Sequence, residues 1–369
     1  MRIVWRGNFD LSGFGRAAID YVSALRKLGV DIKIINTSPP RLRLVDIALN
    51  LKQLEILSSK PDDIVIQHVP PGDFIRTDSR ANIGYTTFES PRIPQEWIDN
   101  LKILDGIMVP STWNRDILID AGIDPSKIFV IPHIVGYLEV DPKRTEPFMI
   151  RNKKTFSFLS IIDFTYRKGW DLLFEAFWTE FRADEDVSLI LKTYNRSFGK
   201  DDRSRIFEYI DNLKRKLKLI ELPHTMIYEW PIHSELIPSL YKSCQAYVFP
   251  TRGEGFSLTC AEAMALEVPV IATHYGGHTD YMNYSNSTLI KFTGFSTMTK
   301  EQLNLSPQYE SLPLVQPSLI HLRESMRHVY VHYDEAIEKA VKGRKDIAER
   351  FSEIKIGVQL LEAIEKIAK

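Results

Sequence analysis

"QAYVFPTRGEGFSLTCAEAMAL", residues 245–266, decides how this chain is read. The first six residues form an apolar, β-prone run that Pro250 ends. "TRGEG" is a glycine-rich turn, and "FSLTCAEAMAL" reads as the helix that follows. A strand–turn–helix order puts the turn at the carboxyl end of a strand, where open α/β sheets bind their ligands. At the helix start, the N–H groups of Phe256, Ser257 and Leu258 are placed to meet an anion. Gly253 and Gly255 let the backbone come close to it. Glu254 stands at the mouth of the turn. Glu262 lies further along the helix, able to accept two hydrogen bonds from a vicinal diol such as ribose. Either glutamate alone also suits a capped core helix with a surface carboxylate. The pair within one such unit points to a ligand.

Working outward, strands alternate with helices in both directions. Residues 2–6 read as a strand, and "SGFGRAAIDYVSALRKLG" as a loop and helix stopped by Gly29. "VDIKII", "DDIVIQHV", "RANIGYTTF", "LDGIMVPS" and "KIFVIPHIV" continue the strands of this half. "EVDPKRTEP", 139–147, is a charged, proline-bearing linker. The alternation then restarts with "TFSFLSII", "VSLILKTY", "TMIYEW", "QAYVFP", "PVIAT" and "STLIKF" as strands. Residues 295–317, with prolines and no periodicity, read as a long loop before a helical tail. The fold class expected is α/β, with two Rossmann-like doubly wound parallel-sheet domains facing a central cleft. The expected boundaries are 1–142, 143–345, and 346–369 as a final helix crossing back to the N-terminal domain.

Composition narrows the functional classes. The 369 residues are 44% hydrophobic and 26% charged, with a net charge of -1. That balance gives no electrostatic reason for nucleic acid as a partner. Two cysteines, Cys244 and Cys260, make neither a disulfide framework nor a zinc site. No apolar run approaches the ~18 residues of a membrane span, and "MRIVWRG" has no signal core. A cytoplasmic protein, at most peripheral to a membrane, is expected.

"EGFSLTCAE" followed by "AMALEVPVIATHYGGHTD" resembles the E-x7-E signature of glycosyltransferase family 4, a retaining family with the GT-B fold. The resemblance implies that Glu262 binds the ribose of a sugar nucleotide and that Glu254 contacts the donor sugar. It implies also that the N–H groups of Gly255, Phe256, Ser257 and Leu258 hold sugar hydroxyls and phosphate. Glu267 stands where the family usually has glycine. "SFLSIIDFTYRKGWDLLFEAF" is similar to the family's strand-loop-helix with a basic pair before a glycine, and places Lys168 on its diphosphate-binding lysine. An ammonium there would neutralise charge on the departing phosphate. The family arginine six positions earlier is replaced by Ile162, and neighbouring Arg167 is the candidate substitute.

In the N-terminal half, "DLSGFGRAA" is similar to the family's phosphate-approaching loop through Gly13 and Gly15. It also reads as G-x-G-x-x-A, a nicotinamide fingerprint. Against that, the second strand ends at Asn36, where an acidic residue would take the ribose. In "IGYTTFESPRIPQEW", Glu89 occupies the position where many family members carry a reaction-centre histidine. It suits a role in orienting or deprotonating an acceptor hydroxyl, and equally an ion pair with Arg92. Ser111 and Asn114 read as helix-ordering residues, and His68 and His133 as strand-end histidines of open role. There is no D-x-D pair for a metal, and His274 and His278 straddle a turn, which argues against zinc there.

The reading is a metal-independent, retaining glycosyltransferase. Its donor would be a nucleoside-diphosphate sugar, and its acceptor a saccharide, a lipid-linked group or a protein. No cofactor and no metal are expected. The alternatives are a non-catalytic binding protein on the same fold, and less readily a sugar-nucleotide epimerase or nicotinamide enzyme. Base selectivity is expected near "YEWPIH", and acceptor contacts in the loops 37–50 and 70–80.

Overall fold

A computed structural model describes residues 2–10, 12–38, 51–194, 202–229 and 232–369. Most of the 37–50 loop, and residues 230–231 of "YEWPIH", lie outside these described residues. The chain divides into two compact units, residues 1–135 with 349–369, and residues 136–348.

The first unit is built on six parallel strands: β1 (Arg2–Gly7), β2 (Asp31–Asn36), β3 (Ile64–His68), β4 (Ala81–Tyr85), β5 (Gly106–Val109) and β6 (Ile128–Val130). Their order is β2-β1-β3-β4-β5-β6. The inner strands β3, β4 and β5 are buried along their whole length. That is why they read as unbroken apolar runs and not as alternating ones. The strand expected over "KIFVIPHIV" is short because Pro132 cannot donate to a ladder. The helix Gly13–Lys27 starts within the expected glycine loop, capped by Ser12, whose hydroxyl accepts from Gly15 N at 3.0 Å. Gly29, at φ 79, ends it. The helix Glu353–Ile367 belongs to this unit, and Glu353 bonds Ser23 at 3.1 Å and Lys27 at 2.5 Å. A Cβ on Gly106 would lie 2.6 Å from Ile367 Cδ1, so that strand accepts the helix only without a side chain.

The second unit repeats the plan with β7 (Phe156–Asp163), β8 (Val187–Tyr194), β9 (His224–Tyr228), β10 (Ala246–Phe249), β11 (Val270–Thr273) and β12 (Thr288–Ile290). All pair in parallel, in the order β12-β11-β10-β7-β8-β9. From β7 the chain runs outward to β9, then returns to β10 on the other side. The two neighbours β7 and β10 therefore mark the topological switch point, where the strand order reverses and ligands bind beyond the carboxyl ends of the strands.

The expected loop at 295–317 is instead ordered structure. It holds most of an antiparallel ribbon of β13 (Phe292–Ser296) and β14 (Leu314–Pro317), and a short helix Lys300–Leu303 with a Thr299–Gln302 capping box. Met298, Tyr309, Leu312 and Leu314 form a small apolar cluster that takes in Tyr166 and Leu303. The pieces are too short to show a period in the sequence. The helix Leu319–Val331, capped by Ser318, was likewise not marked by the tail reading.

Candidate donor site

The turns after β7 and β10 are fastened to each other. Gly169 has φ 74, and a Cβ there would lie 2.0 Å from the Pro250 carbonyl oxygen. Only glycine permits that approach. Arg252 N donates to the Arg167 carbonyl at 2.7 Å. The Arg252 side chain, 2% exposed, forks onto both oxygens of Asp171 at 2.7 Å, donates to the Tyr166 carbonyl at 2.8 Å, and stacks on the Tyr166 ring. Its carbonyl accepts from Val315 N in β14 at 3.0 Å. Arg252 thus ties the turn at 166–168, the turn at 250–254 and the ribbon into one rigid body. Sequence reasoning missed it, because an arginine in a glycine turn reads as solvent-facing.

Three charges converge on this frame. Glu254 Oε1 accepts from Arg167 Nη1 at 2.5 Å and Lys168 Nζ at 2.7 Å. Arg167 Nη1 also donates to the Gly253 carbonyl at 2.6 Å and its guanidinium lies over the Tyr309 ring. Glu254 is 6% exposed. Burial pushes its carboxyl up, but the Lys168 and Arg167 cations together outweigh burial and hold it below its ordinary value. Ile162 is buried in the sheet and contributes no charge.

The helix Leu258–Ala265 begins directly behind Glu254. Ser257 precedes it in the left-handed region at φ 65 and gives no side-chain cap, so the first-turn N–H groups are left to a ligand or water. The Tyr281 hydroxyl meets the carbonyls of Phe256 and Ser257 at 2.8 and 2.7 Å and fixes this bend. The Gly276–Gly277 turn closes against it. Gly277 N donates to the Glu254 carbonyl at 2.7 Å, and a Cβ on Gly276 would lie 2.7 Å from the same oxygen. Glu262, two turns on and buried, faces Tyr241, whose hydroxyl lies 3.3 Å from Oε2. Glu267 sits at φ 54 after this helix, with Glu267 N on the Met264 carbonyl and Val268 N on the Ala263 carbonyl. That left-handed closing motif is where glycine is favoured. His278 is buried with Nε2 2.6 Å from the Thr273 carbonyl, whereas His274 meets Tyr284. Among the described residues, no group of three or more His, Cys, Asp or Glu side chains could hold a metal ion.

The remaining candidates lie in the first unit. Gly13 is exposed with open space around it. Gly15 is buried, and a Cβ there would meet Asp10 backbone at 2.4 Å, while its N–H is spent on Ser12. Packing and capping therefore account for Gly15. Glu89 is half-buried in the turn after β4. Asn114 Nδ2 orders that turn by donating to the Phe88 carbonyl at 2.9 Å. His68 and His133 are buried among Trp5, Tyr21 and Tyr85, and desolvation pulls both rings below their ordinary value, His133 to about 3.

Residues 143–303 match the family described as "Glycosyl transferases group 1". Mannosylfructose-phosphate synthase of Agrobacterium fabrum is 25% identical over 195 residues, 50% of this chain and 41% of that protein. Human alpha-1,3/1,6-mannosyltransferase ALG2 is 23% identical over 290 residues, 75% of this chain and 62% of its own length. The chain thus spans 41% and 62% of these two relatives. Among solved structures, Anabaena HepE in complex with UDP and glucose matches with a TM-score of 0.65 at 13% identity, over 99% of this chain and 100% of that one. Among the described residues no helix is long and apolar enough to cross a membrane. Two parallel-sheet units and the likeness to solved structures show the GT-B fold, and residues 143–303, which include the switch-point site, carry the match to glycosyl transferases group 1.

Proposed function

We propose that the protein is a retaining, metal-independent, family-4-like hexosyltransferase. It moves a sugar from a nucleoside-diphosphate sugar to an acceptor hydroxyl. The observation that carries this reading is the convergence of Arg167 and Lys168 on Glu254 at the start of the helix Leu258–Ala265. As the bond from the sugar C1 to the phosphate oxygen breaks, negative charge grows on the diphosphate. Lys168 and Arg167 are the groups to stabilise it, with the helix N–H groups adding to them. These supply the charge that a metal would otherwise bring. Glu254 accepts hydrogen bonds from the donor sugar, and Glu262 holds the ribose diol. Glu89 orients or deprotonates the acceptor hydroxyl as its oxygen bonds to C1, and Gly13 approaches the phosphates. Retention and the absence of a metal rest on the family resemblance, and a cytoplasmic, at most peripheral location rests on composition and cysteine usage. The names of the relatives, a mannosyltransferase and a mannosylfructose-phosphate synthase, favour a hexose as the group transferred.

The test is a calorimetric and thermal-shift titration with UDP, GDP, ADP and dTDP and their hexose conjugates in EDTA, beside Glu262→Ala. At 100 times its dissociation constant a ligand adds about 2.7 kcal/mol of apparent stability. A shift with one nucleotide, weakened in the variant and followed by metal-free transfer to a hydroxylated acceptor with the anomeric configuration kept, supports the reading. Binding of none of them by the folded protein overturns it in favour of a non-catalytic binding protein.

A further inference from the structure

The carboxyl edge of the second sheet holds another polar cluster, one strand beyond the paired cations. Lys192 and Thr193 lie just before Tyr194, the last residue of β8, and Glu229 directly follows β9. The two strands pair with Lys192 opposite Tyr228, so Thr193 and Glu229 are the next residues along each. Glu229 has a side chain only 10% exposed, and its Oε1 accepts from Arg203 Nε at 2.8 Å. Its Oε2 is buried and has no hydrogen-bond partner, and neither has the buried Thr193 Oγ1. Lys192 is 7% exposed, donates to the Thr193 carbonyl at 3.3 Å and is attracted by Glu229. Burial pulls its ammonium down to about 8.

A buried carboxylate oxygen left unpaired is costly, and a cluster of this kind is satisfied by something that enters it. A fitting ligand brings N–H donors to Glu229 Oε2 and an acceptor to the Thr193 hydroxyl, with the Lys192 ammonium close enough to Glu229 to meet a further acceptor. Among nucleobases, uracil and thymine offer one N–H between two carbonyl oxygens, and a carboxylate repels both. Adenine offers an amino group beside a bare ring acceptor. Guanine alone sets N1–H and the 2-amino group side by side, with O6 beyond them for an ammonium. The cluster lies on the strand next to β7, whose following turn carries Arg167 and Lys168.

We propose that Lys192, Thr193 and Glu229 form a guanine-selective base pocket, making the donor a guanosine-diphosphate sugar. This rests on the donor-site reading of the same unit. Calorimetry with GDP, IDP, UDP and ADP on the whole protein separates the two ideas, since IDP lacks only the 2-amino group. The wild type is expected to prefer GDP to each of the others by about tenfold or more. Glu229→Gln should weaken GDP by about tenfold and bring the GDP-to-IDP ratio near one. Lys168→Ala should weaken all four alike and leave their ratios unchanged. Tighter binding of UDP, or a wild-type GDP-to-IDP ratio near one, overturns the pocket while the donor site stands. Binding of no diphosphate at all overturns both. If Glu229→Gln does not fold, Lys192→Met and the wild-type ratio decide.

Discussion

Replacing Glu254 by glutamine keeps the shape of the site and removes the one negative charge lying between Arg167 and Lys168. The three side chains are 8%, 12% and 18% exposed, so the two cations would stay largely dry without a counter-ion. Breaking a well-buried pair costs ~3–5 kcal/mol. The amide can still accept one hydrogen bond and the cations keep some water, which brings the expected loss to about 2–3 kcal/mol. For a unit the size of residues 136–348 that is a melting shift of roughly 4–12 °C. Ligand binding should change in the opposite sense. Two uncompensated cations favour a diphosphate by about 1–2 kcal/mol, roughly tenfold in affinity. Turnover should fall by about 10²–10³ if Glu254 serves the donor sugar. The pH dependence has a defined sign. The folded-state value of Glu254 is held below 4.5, so its contribution is present above pH 4.5 and is lost as pH falls through the lower folded value. The gap between wild type and variant should therefore narrow in acid. Urea unfolding at neutral and acid pH, with calorimetric titration of GDP and UDP, measures all of this. A Glu254→Gln protein as stable as wild type, binding diphosphates more weakly, would refute the reasoning.

Three further substitutions probe the frame. Gly169→Ala should cost more than ~2 kcal/mol in urea unfolding, because the new methyl meets the Pro250 carbonyl at 2.0 Å and φ is 74; an unchanged midpoint would count against the fastening of the two turns. Arg252→Lys keeps the charge but loses the fork on Asp171 and the ring stack, so about 2 kcal/mol and about tenfold in kcat should be lost, with a coupling of ~1 kcal/mol or more to Asp171→Asn in a double-mutant cycle. Glu267→Gly should stabilise by ~0.5–1 kcal/mol, seen as a higher melting temperature, since relief of φ 54 exceeds the loss of a 3.9 Å contact with Arg344.

The parallel strands were legible because burial on both faces leaves continuous apolar runs such as "DDIVIQHV" and "QAYVFP". The turn at 252–258 was legible because glycines and a carboxylate at a strand end have few structural uses together. What stayed hidden was what depends on distant pairing. Arg252 and Asp171 are 81 residues apart, and nothing local marks either as half of a buried fork. The ribbon at 292–317 is anchored by contacts to Tyr166 and Arg252, and its own short pieces carry no period. The left-handed position of Ser257 is fixed by the distant Tyr281 hydroxyl, and that of Glu267 by the backbone hydrogen bonds that close the helix, with no glycine to mark either. Gly15 also has a packing reason that the sequence did not show, since a Cβ there would meet the Asp10 backbone at 2.4 Å.

Because residues 349–369 complete the unit that residues 1–135 begin, order of synthesis and order of folding part company. The segment 136–348 is continuous and can close as soon as it leaves the ribosome. The first unit must wait for it. At ~5–20 residues per second, that wait is about 10–40 s, during which the surface that takes Ile356, Leu360 and Ile364 stays uncovered. Residues 1–135 are thus made before the unit that they begin can mature. Loss of residues 349–369 would harm the amino-terminal half first.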